Sequence, residues 1–267
     1  MRIVSYAGGH GRLDGDRVQP LAGTLTDLLR DPASARADGP AIALADVELL
    51  APVPDPRKII CIGLNYRDHA AETGKPVPTE PILFAKFANS LAPDGATVTV
   101  PELARELDWE AELVAVIGRG GRDIPRAEAL AHVAGYTVTN DLSSRLLQRS
   151  GGQWTRGKAI DGFLPMGPWL TTADEVADPQ DLRVRCLVNG EVMQDGTTAE
   201  MVFGVADLVA ELSRTITLEP GDLICTGTPP GVGMGRDPKV FLRDGDEVVV
   251  EIEGLGRLTT RIADRWG

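Results

Sequence analysis

The strongest constraint on the fold is an apolar segment, residues 108–117 (DWEAELVAVI), that carries two glutamates among aliphatic residues. Its composition predicts a central strand over residues 109–118. Residues two apart in a strand point to the same face, so Glu110 and Glu112 would be neighbours. Two buried, ionised carboxylates repel each other and lose hydration, so either one takes up a proton or a cation lies between them. The segment therefore predicts a sheet with a charged site on a central strand.

A third carboxylate follows a second predicted strand, residues 133–140, which ends immediately before Asp141. Three carboxylate oxygens suit a hard ion such as Mg²⁺ or Mn²⁺ better than zinc, and the cluster contains no histidine or cysteine. The residues alone leave an alternative open. Glu110 and Glu112 would then lie on an exposed strand face, paired with lysine or arginine, and Asp141 would be a turn former or helix cap.

The remaining pattern predicts two units. Short strands in residues 2–20, around an Asp-Gly turn, and a short helix over residues 24–30 form a small N-terminal unit. The proline-rich stretch APVPDP, residues 51–56, favours an extended linker. We therefore predict a small N-terminal domain with its linker over residues 1–56 and a larger domain over residues 57–267.

The larger domain is predicted to consist mostly of strands. A buried strand over residues 59–62 precedes a helix over residues 65–73, and a helix that starts with proline covers residues 125–132. An amphipathic helix runs from about residue 200 to residue 214. Further strands are predicted at residues 182–188, 223–226, 247–253 and 257–262. Strands and helices do not alternate regularly, which favours a mixed α/β, mostly β fold with peripheral helices over a doubly wound parallel sheet.

The charge of the chain limits its partners. A net charge of −12, with no local cluster of lysine and arginine, disfavours nucleic acid and anionic membranes as partners. The sequence has no long apolar run, no signal peptide and no C-x-x-C pair among its three cysteines, so a reduced, cytoplasmic protein is expected. An anionic substrate would need a local positive centre such as a metal ion.

Five ordered motifs resemble those of the fumarylacetoacetate hydrolase superfamily. They are GLNYRDHAAE (63–72), DWEAELVAVIG (108–118), AGYTVTNDLS (134–143), GQWTRGK (152–158) and TGTPPGVG (226–233). The resemblance implies that Glu110, Glu112 and Asp141 bind Mg²⁺ or Mn²⁺, with Ca²⁺ a candidate occupant in crystals. It also implies a mixed β-roll with a small N-terminal domain, a catalytic role for the larger domain, and a homodimer.

The first motif carries His69 and Glu72, three residues apart on a predicted helix. A carboxylate beside an imidazole fixes its tautomer and raises its basicity, as a water-activating base requires. For this spacing alone, an exposed helical pair is the commoner outcome. The resemblance instead implies a catalytic pair, on a segment that closes over the metal, and assigns a catalytic role to Lys158 as well.

The resemblance also assigns substrate contacts to Arg145, Gln148 and Thr228. Arg145 and Gln148 follow Asp141 by four and seven residues, so a helical turn would place them on one side, where both can donate hydrogen bonds to a carboxylate. Without the resemblance, a solvated helix face fits these two residues equally well. A salt bridge, with a metal ligand as one partner, is the corresponding alternative for Lys158.

The glycine-rich run GVGMG, residues 231–235, lacks the helix and the lysine of a nucleotide-binding loop, so no nucleotide site is predicted. Its amides, with Thr226 and Thr228, would instead hold a small carboxylate. The alternative is a plain turn between a strand and a loop.

Taken with these features, the resemblance implies a metal-dependent hydrolase that cleaves a C–C bond in an acylpyruvate-type 2,4-dioxo acid, such as fumarylpyruvate, and releases pyruvate in aromatic catabolism. The His69/Glu72 pair would deprotonate the attacking water, and the metal would stabilise the enolate that is expelled. Two alternatives on the same scaffold need no attacking water: decarboxylation of oxaloacetate, and isomerisation or tautomerisation of a 2-hydroxy-dienoate. A third alternative is a binding protein whose cation is only structural.

Overall fold

The computed structural model of the protein describes residues 1–264, so the last three residues of the larger predicted domain lie outside the described residues. The strands, in chain order, are β1 (Arg2–Tyr6), β2 (Gly9–Asp14), β3 (Arg17–Pro20), β4 (Ile42–Ala43), β5 (Ile59–Gly63), β6 (Ile82–Lys86), β7 (Leu91–Ala92), β8 (Thr97–Val100), β9 (Leu107–Asp108), β10 (Ala111–Ile117), β11 (Val133–Asn140), β12 (Ser143–Ser144), β13 (Leu164–Thr172), β14 (Arg183–Val188), β15 (Glu191–Thr197), β16 (Leu223–Cys225), β17 (Glu247–Ile252) and β18 (Gly256–Asp264). The α-helices are α1 (Leu25–Arg30), α2 (Arg67–Glu72), α3 (Arg145–Arg149), α4 (Thr155–Lys158) and α5 (Val205–Ser213). The predicted mixed, mostly β fold is confirmed.

Most strands belong to one large sheet. Its eleven strands follow the order β4-β3-β2-β1-β13-β11-β10-β16-β5-β6, with β7 paired to β13. A second sheet has the order β15-β14-β17-β18-β8, and β9 and β12 form a short separate pair. The N-terminal strands extend the large sheet because β1 pairs antiparallel with β13. The division of the chain at residue 56 stays a prediction.

Strand β10 is buried on both faces, and its residues alternate between two apolar cores. Leu113 and Ala115 belong to the core shared with the second sheet and α5, whereas Val114 and Val116 belong to the core on the side of the N-terminal elements. Every residue of the strand is buried, including Glu112. The exposed strand face considered above is therefore excluded for Glu112.

Two predicted helices differ in the structure. Residues 126–132 form a 3₁₀ helix rather than an α-helix. The amphipathic helix begins at Val205, later than predicted, because the Asp207 carboxylate accepts the N–H of Gly204 and caps the helix there. No helix within residues 1–264 combines the length and the apolar character that crossing a membrane requires.

Candidate active site

Pairing between β10 and β11 brings the three predicted carboxylates together. Ala111 lies opposite Asn140 in the antiparallel register. The pairing continues one residue further, because the N–H of Asp141 donates to the carbonyl of Glu110 at 2.9 Å. As a result, one side-chain oxygen from each of Glu110, Glu112 and Asp141 lies within 4.8 Å of the other two. The sequence pattern thus predicted a cluster that the structure contains.

All three carboxylates are buried, with exposed fractions of 7% for Glu110, 1% for Glu112 and 0% for Asp141. The ammonium group of Lys158 donates to Glu110 at 2.6 Å and to Asp141 at 2.7 Å. Burial alone would raise the pKa of Glu110, but the nearby charges of Lys158 and Arg145 outweigh it and lower that pKa to about 2. Glu110 is therefore ionised at neutral pH.

Glu112 has weaker compensation, because no lysine or arginine within residues 1–264 forms an ion pair with it and the charge of Lys158 offsets only part of the effect of burial on its pKa. Its Oε2 accepts the N–H of Gly227 at 2.9 Å. Burial, followed by the charge of Asp141, raises the pKa of Glu112 well above its usual range. A divalent cation among the three side chains would remove this electrostatic cost, so the donor set fits a hard ion with oxygen ligands.

Lys86 is part of the same cluster, although the sequence pattern did not predict it. Its side chain is completely buried, and its ammonium group donates to Asp141 Oδ1 and to two backbone carbonyls, at 3.3 and 2.6 Å. All three of its N–H bonds are therefore directed at protein acceptors. A lone lysine at the end of an apolar strand (ILFAK) was the available signal, because burial of an ammonium group requires an anionic partner.

A second residue that the prediction missed is Asp108, which is completely buried and forms an ion pair with Arg145. The cluster then contains four carboxylates (Asp108, Glu110, Glu112, Asp141) and three cations (Lys86, Arg145, Lys158). When all seven groups are ionised, the net charge of the cluster is one negative charge. A bound divalent cation would change this to one positive charge, which favours an anionic substrate.

The predicted pair of His69 and Glu72 is formed on α2, with 2.8 Å between His69 Nδ1 and Glu72 Oε2. The other oxygen of Glu72 accepts the N–H of Gly231 at 2.7 Å. The side-chain amide of Asn65, just before the helix, donates to two backbone carbonyls at 3.0 and 2.8 Å and holds the helix start against the neighbouring loops. With Nδ1–H donating to Glu72, the Nε2 atom of His69 is the basic nitrogen.

Arg145 and Gln148 contact each other at the start of α3. Arg145 Nη1 donates to Glu110 at 2.7 Å and to Gln148 Oε1 at 3.0 Å, and its Nε donates to Asp108 at 2.8 Å. Arg145 Nη2 is buried without a hydrogen-bond partner. Because Gln148 accepts through its oxygen, its NH₂ group remains a donor. The pair thus offers donors from both residues to a ligand.

The hydroxyl group of Thr228 is engaged in the protein. It donates to the carbonyl of Ala111 at 2.9 Å and accepts from Gln194 at 2.8 Å. A hydroxyl has a single hydrogen to donate. A contact from Thr228 to an anionic ligand would therefore have to come from its backbone N–H, and the predicted substrate contact stays a prediction.

Four amides of the loop over residues 226–235, which includes the glycine-rich run, donate to carboxylates of the protein itself. The N–H groups of Gly227 and Gly231 donate to Glu112 and Glu72, and those of Gly233 and Met234 donate to Asp108. The predicted binding of a substrate carboxylate by residues 231–235 is therefore wrong for Gly231, Gly233 and Met234, because the hydrogens of these amides already point to internal acceptors. The loop instead orients Glu112, which is a candidate metal ligand, Glu72 of the His69/Glu72 pair, and Asp108.

Seven of the nine predicted site residues, all except Glu72 and Asp141, border one cavity of about 280 Å³. Its polar lining includes His69, Glu110, Glu112, Arg145, Gln148, Lys158 and Thr228. Ile62, Phe84 and Trp154 form an apolar wall, in which the Phe84 and Trp154 rings pack edge to face at 5.6 Å. The cavity can hold a small organic acid and brings together an imidazole, cationic side chains and two carboxylates of the candidate metal site. The catalytic and binding roles of these residues stay predictions.

Comparison with known proteins places this geometry in a family. Residues 58–263 match the fumarylacetoacetate (FAA) hydrolase C-terminal family, and residues 1–52 match the Rv2993c-like N-terminal family. The chain is 50% identical to human mitochondrial oxaloacetate tautomerase FAHD2A over 225 residues, which are 84% of this chain and 72% of that protein.

Solved structures agree with this match. A putative HpcE protein from Mycobacterium smegmatis has a TM-score of 0.92 at 40% identity, with 99% of this chain and 100% of that chain covered. A 2-hydroxyhepta-2,4-diene-1,7-dioate isomerase from Mycobacterium marinum has a TM-score of 0.84 at 34% identity, with both chains covered completely. The mixed β-roll that the motifs implied is thereby confirmed.

Proposed function

The chain belongs to the fumarylacetoacetate hydrolase family, and we propose that it is an enzyme which moves a proton on a small 2-oxo acid. The reaction would interconvert the keto and enol forms of oxaloacetate or a similar dicarboxylate. One observation carries the proposal: Glu110 and Glu112, which form a buried cluster with Asp141, line the same cavity as the paired His69. The names of the human tautomerase and the mycobacterial isomerase support this reaction class.

Glu110, Glu112 and Asp141 would hold a divalent cation, Mg²⁺ or Mn²⁺. When bound, such an ion polarises the substrate's oxygens and stabilises the negative charge that develops there. The raised pKa of Glu112, caused first by burial and then by Asp141, supports this assignment because a buried carboxylate without a counterion favours cation binding.

The other groups bind the acid and transfer the proton. The free Nη2 of Arg145 and the NH₂ of Gln148 would donate to the substrate carboxylate. His69 Nε2 would remove a proton from carbon 3 of the keto form to leave the enolate, and the resulting imidazolium, stabilised by Glu72, would give that proton to the enolate oxygen to form the enol. In the reverse direction Nε2 would take the proton from the enol oxygen, and the imidazolium would deliver it to carbon 3.

Lys158 would contribute its charge rather than act as a base. Although burial opposes protonation, the carboxylates of Asp141 and Glu110 raise the pKa of Lys158 above its usual range. The ammonium group would therefore stay protonated during the reaction. Its hydrogen bonds to both ligand candidates would keep their oxygens in position for the cation.

The proposal is tested by following the ultraviolet absorbance of enol oxaloacetate as it converts to the keto form, with and without Mn²⁺. We expect acceleration over the spontaneous reaction, and deuterium exchange at carbon 3 in heavy water. The exposed variant Glu191→Gln should behave as the wild type. Spontaneous rates of both processes in the presence of wild-type protein and Mn²⁺ would contradict the proposal.

Hydrolysis of an acylpyruvate is the second candidate, and the second bond to Glu72 favours it. The Gly231 amide fixes the carboxylate that orients His69, an arrangement that suits activation of a water molecule. Incubation of acylpyruvates in water labelled with heavy oxygen would put the label into the released carboxylic acid. Decarboxylation of oxaloacetate would instead release carbon dioxide without incorporation of label into the product carboxylate.

The competing outcome is a binding protein whose cation is only structural and which catalyses no reaction. Chelation would then lower the melting temperature although no 2-oxo acid is turned over. The homodimer and the cytoplasmic location stay predictions.

A further inference from the structure

Within residues 1–264, Asp108 accepts more hydrogen bonds than any other carboxylate outside the candidate metal ligands. It has no exposed surface. One of its oxygens accepts the N–H of Gly233 at 2.6 Å, and the other accepts Arg145 Nε at 2.8 Å and the N–H of Met234 at 3.0 Å. None of these contacts is with Glu110, Glu112 or Asp141, so binding of a metal by those three residues does not explain them.

The bond to Arg145 fixes one edge of the guanidinium group. Nε is held by Asp108, and Nη1 is shared between Glu110 and Gln148. With two of its three nitrogens engaged, the planar group has a fixed orientation in which Nη2 is the donor left without a partner. A buried guanidinium N–H beside a cavity is a site where an acceptor is missing, and a carboxylate supplies one.

The hydrogen bonds from Gly233 and Met234 to Asp108 hold the 231–235 loop, which also contacts the His69/Glu72 pair. The same loop donates the Gly231 N–H to Glu72 at 2.7 Å. The loop also packs against that side chain, because a Cβ atom on Gly235 would lie 2.6 Å from Glu72 Cδ. Displacement of the loop from Asp108 would therefore move the acceptor that orients His69.

We propose that Asp108 is a positioning residue that holds Arg145 and the 231–235 loop in one geometry, so that the donor for the substrate carboxylate and the proton-transfer pair keep a fixed separation. This rests on the proposed function for the identity of the ligand, a small carboxylate. Asp108 itself touches neither the substrate nor the metal in this scheme. It acts through Arg145 on binding and through the loop on turnover.

The test is a double-mutant cycle with Asp108→Asn and Arg145→Gln, and its first readout is the affinity of the Mn²⁺-loaded protein for oxalate, measured by calorimetry. We expect Asp108→Asn alone to weaken oxalate binding by about 10–100-fold, the usual effect of losing a group that orients a functional side chain. In the Arg145→Gln background, Asp108→Asn should weaken oxalate binding almost no further, because Asp108 acts on the ligand only through Arg145.

The second readout is turnover. Because the loop contact remains disrupted in the double variant, kcat should fall further than in Arg145→Gln, whereas KM should not rise further. Asp222→Asn is the matched control, since Asp222 is also a buried aspartate, paired with Lys58 outside the cavity; it should leave oxalate affinity unchanged. The rise in melting temperature with Mn²⁺ should persist in every variant, which shows that each is folded and binds metal.

Additive losses of oxalate affinity in the two backgrounds would overturn the proposal, as would unchanged affinity in Asp108→Asn or no oxalate binding by the wild type. The binding cycle requires no turnover. If oxaloacetate tautomerisation is absent while the cycle is non-additive, the proposed function fails and the role of Asp108 in carboxylate binding stands.

Discussion

Replacement of Glu112 by glutamine should change stability in opposite directions with and without metal. The variant keeps an oxygen for the Gly227 N–H, which donates to Glu112 at 2.9 Å, but removes the charge. In the metal-free protein the Glu112 pKa is raised by burial and by Asp141, so keeping this carboxylate ionised in the folded state has a cost. We expect metal-free Glu112→Gln to be more stable than metal-free wild type at neutral pH, by on the order of 1–3 kcal/mol, the cost of an uncompensated buried polar group.

The pH dependence follows from the sign of that shift. A carboxyl group whose folded pKa is raised costs nothing while it is protonated in both states. Its cost appears as pH rises above the usual value of 4.5 and is complete above the folded pKa. Metal-free wild type should therefore lose stability over this range relative to the variant. Excess Mn²⁺ at 100 times its Kd would stabilise the wild type by about 2.7 kcal/mol, or roughly 5–10 °C in melting temperature for a chain of this size.

The measurement is thermal unfolding with a chelator or with Mn²⁺, at mildly acidic and mildly alkaline pH. Glu191→Gln, an exposed substitution at the start of β15, serves as the control and should follow the wild type throughout. A metal-free Glu112→Gln protein that melts below metal-free wild type would refute the electrostatic argument. Stabilisation of that variant by Mn²⁺ to the same extent as the wild type would refute the assignment of Glu112 as a ligand.

Three further predictions concern single residues. His69→Ala should lower kcat by about 10²–10⁴-fold, the usual contribution of a general base, while the Mn²⁺-induced rise in melting temperature is retained; loss of that rise would place His69 among the ligands. Lys158→Met should destabilise the metal-free protein by up to about 3–5 kcal/mol, because Glu110 and Asp141 each lose one of their two buried cationic partners. Mn²⁺ should recover part of this loss in denaturant titrations, and an unchanged midpoint would contradict the prediction. Gly63→Ala should cost about 1–3 kcal/mol through overpacking, since its Cβ would lie 2.2 Å from the Trp154 ring; wild-type stability in urea would show that the ring moves freely.

The triad was predictable because it depends on two short-range rules. Alternation along one strand places Glu110 and Glu112 on one face, and the end of the next strand along the chain supplies Asp141. Lys86 was not predicted because its partner Asp141 is 55 residues away, and which charges meet in the cluster depends on the packing of β6 against distant loops. Asp108 lies two residues before Glu110, so its position was visible, but nothing in the sequence showed that Arg145 would be its partner.

The contacts of the 226–235 loop explain why it is rich in glycine. A Cβ atom on Gly233 would lie 1.9 Å from the carbonyl of Val240 and 2.8 Å from Asp108 Oδ1, so the backbone approaches its acceptor only where no side chain intervenes. The glycine content resembles that of a nucleotide loop because both bring backbone amides close to an anion. Here the anions are Glu72, Asp108 and Glu112, which belong to or contact the proposed proton-transfer pair, the arginine proposed to bind a carboxylate, and the candidate metal site. A single loop therefore contacts all three proposed functional groups, and a side chain placed within it should disturb more than one of them.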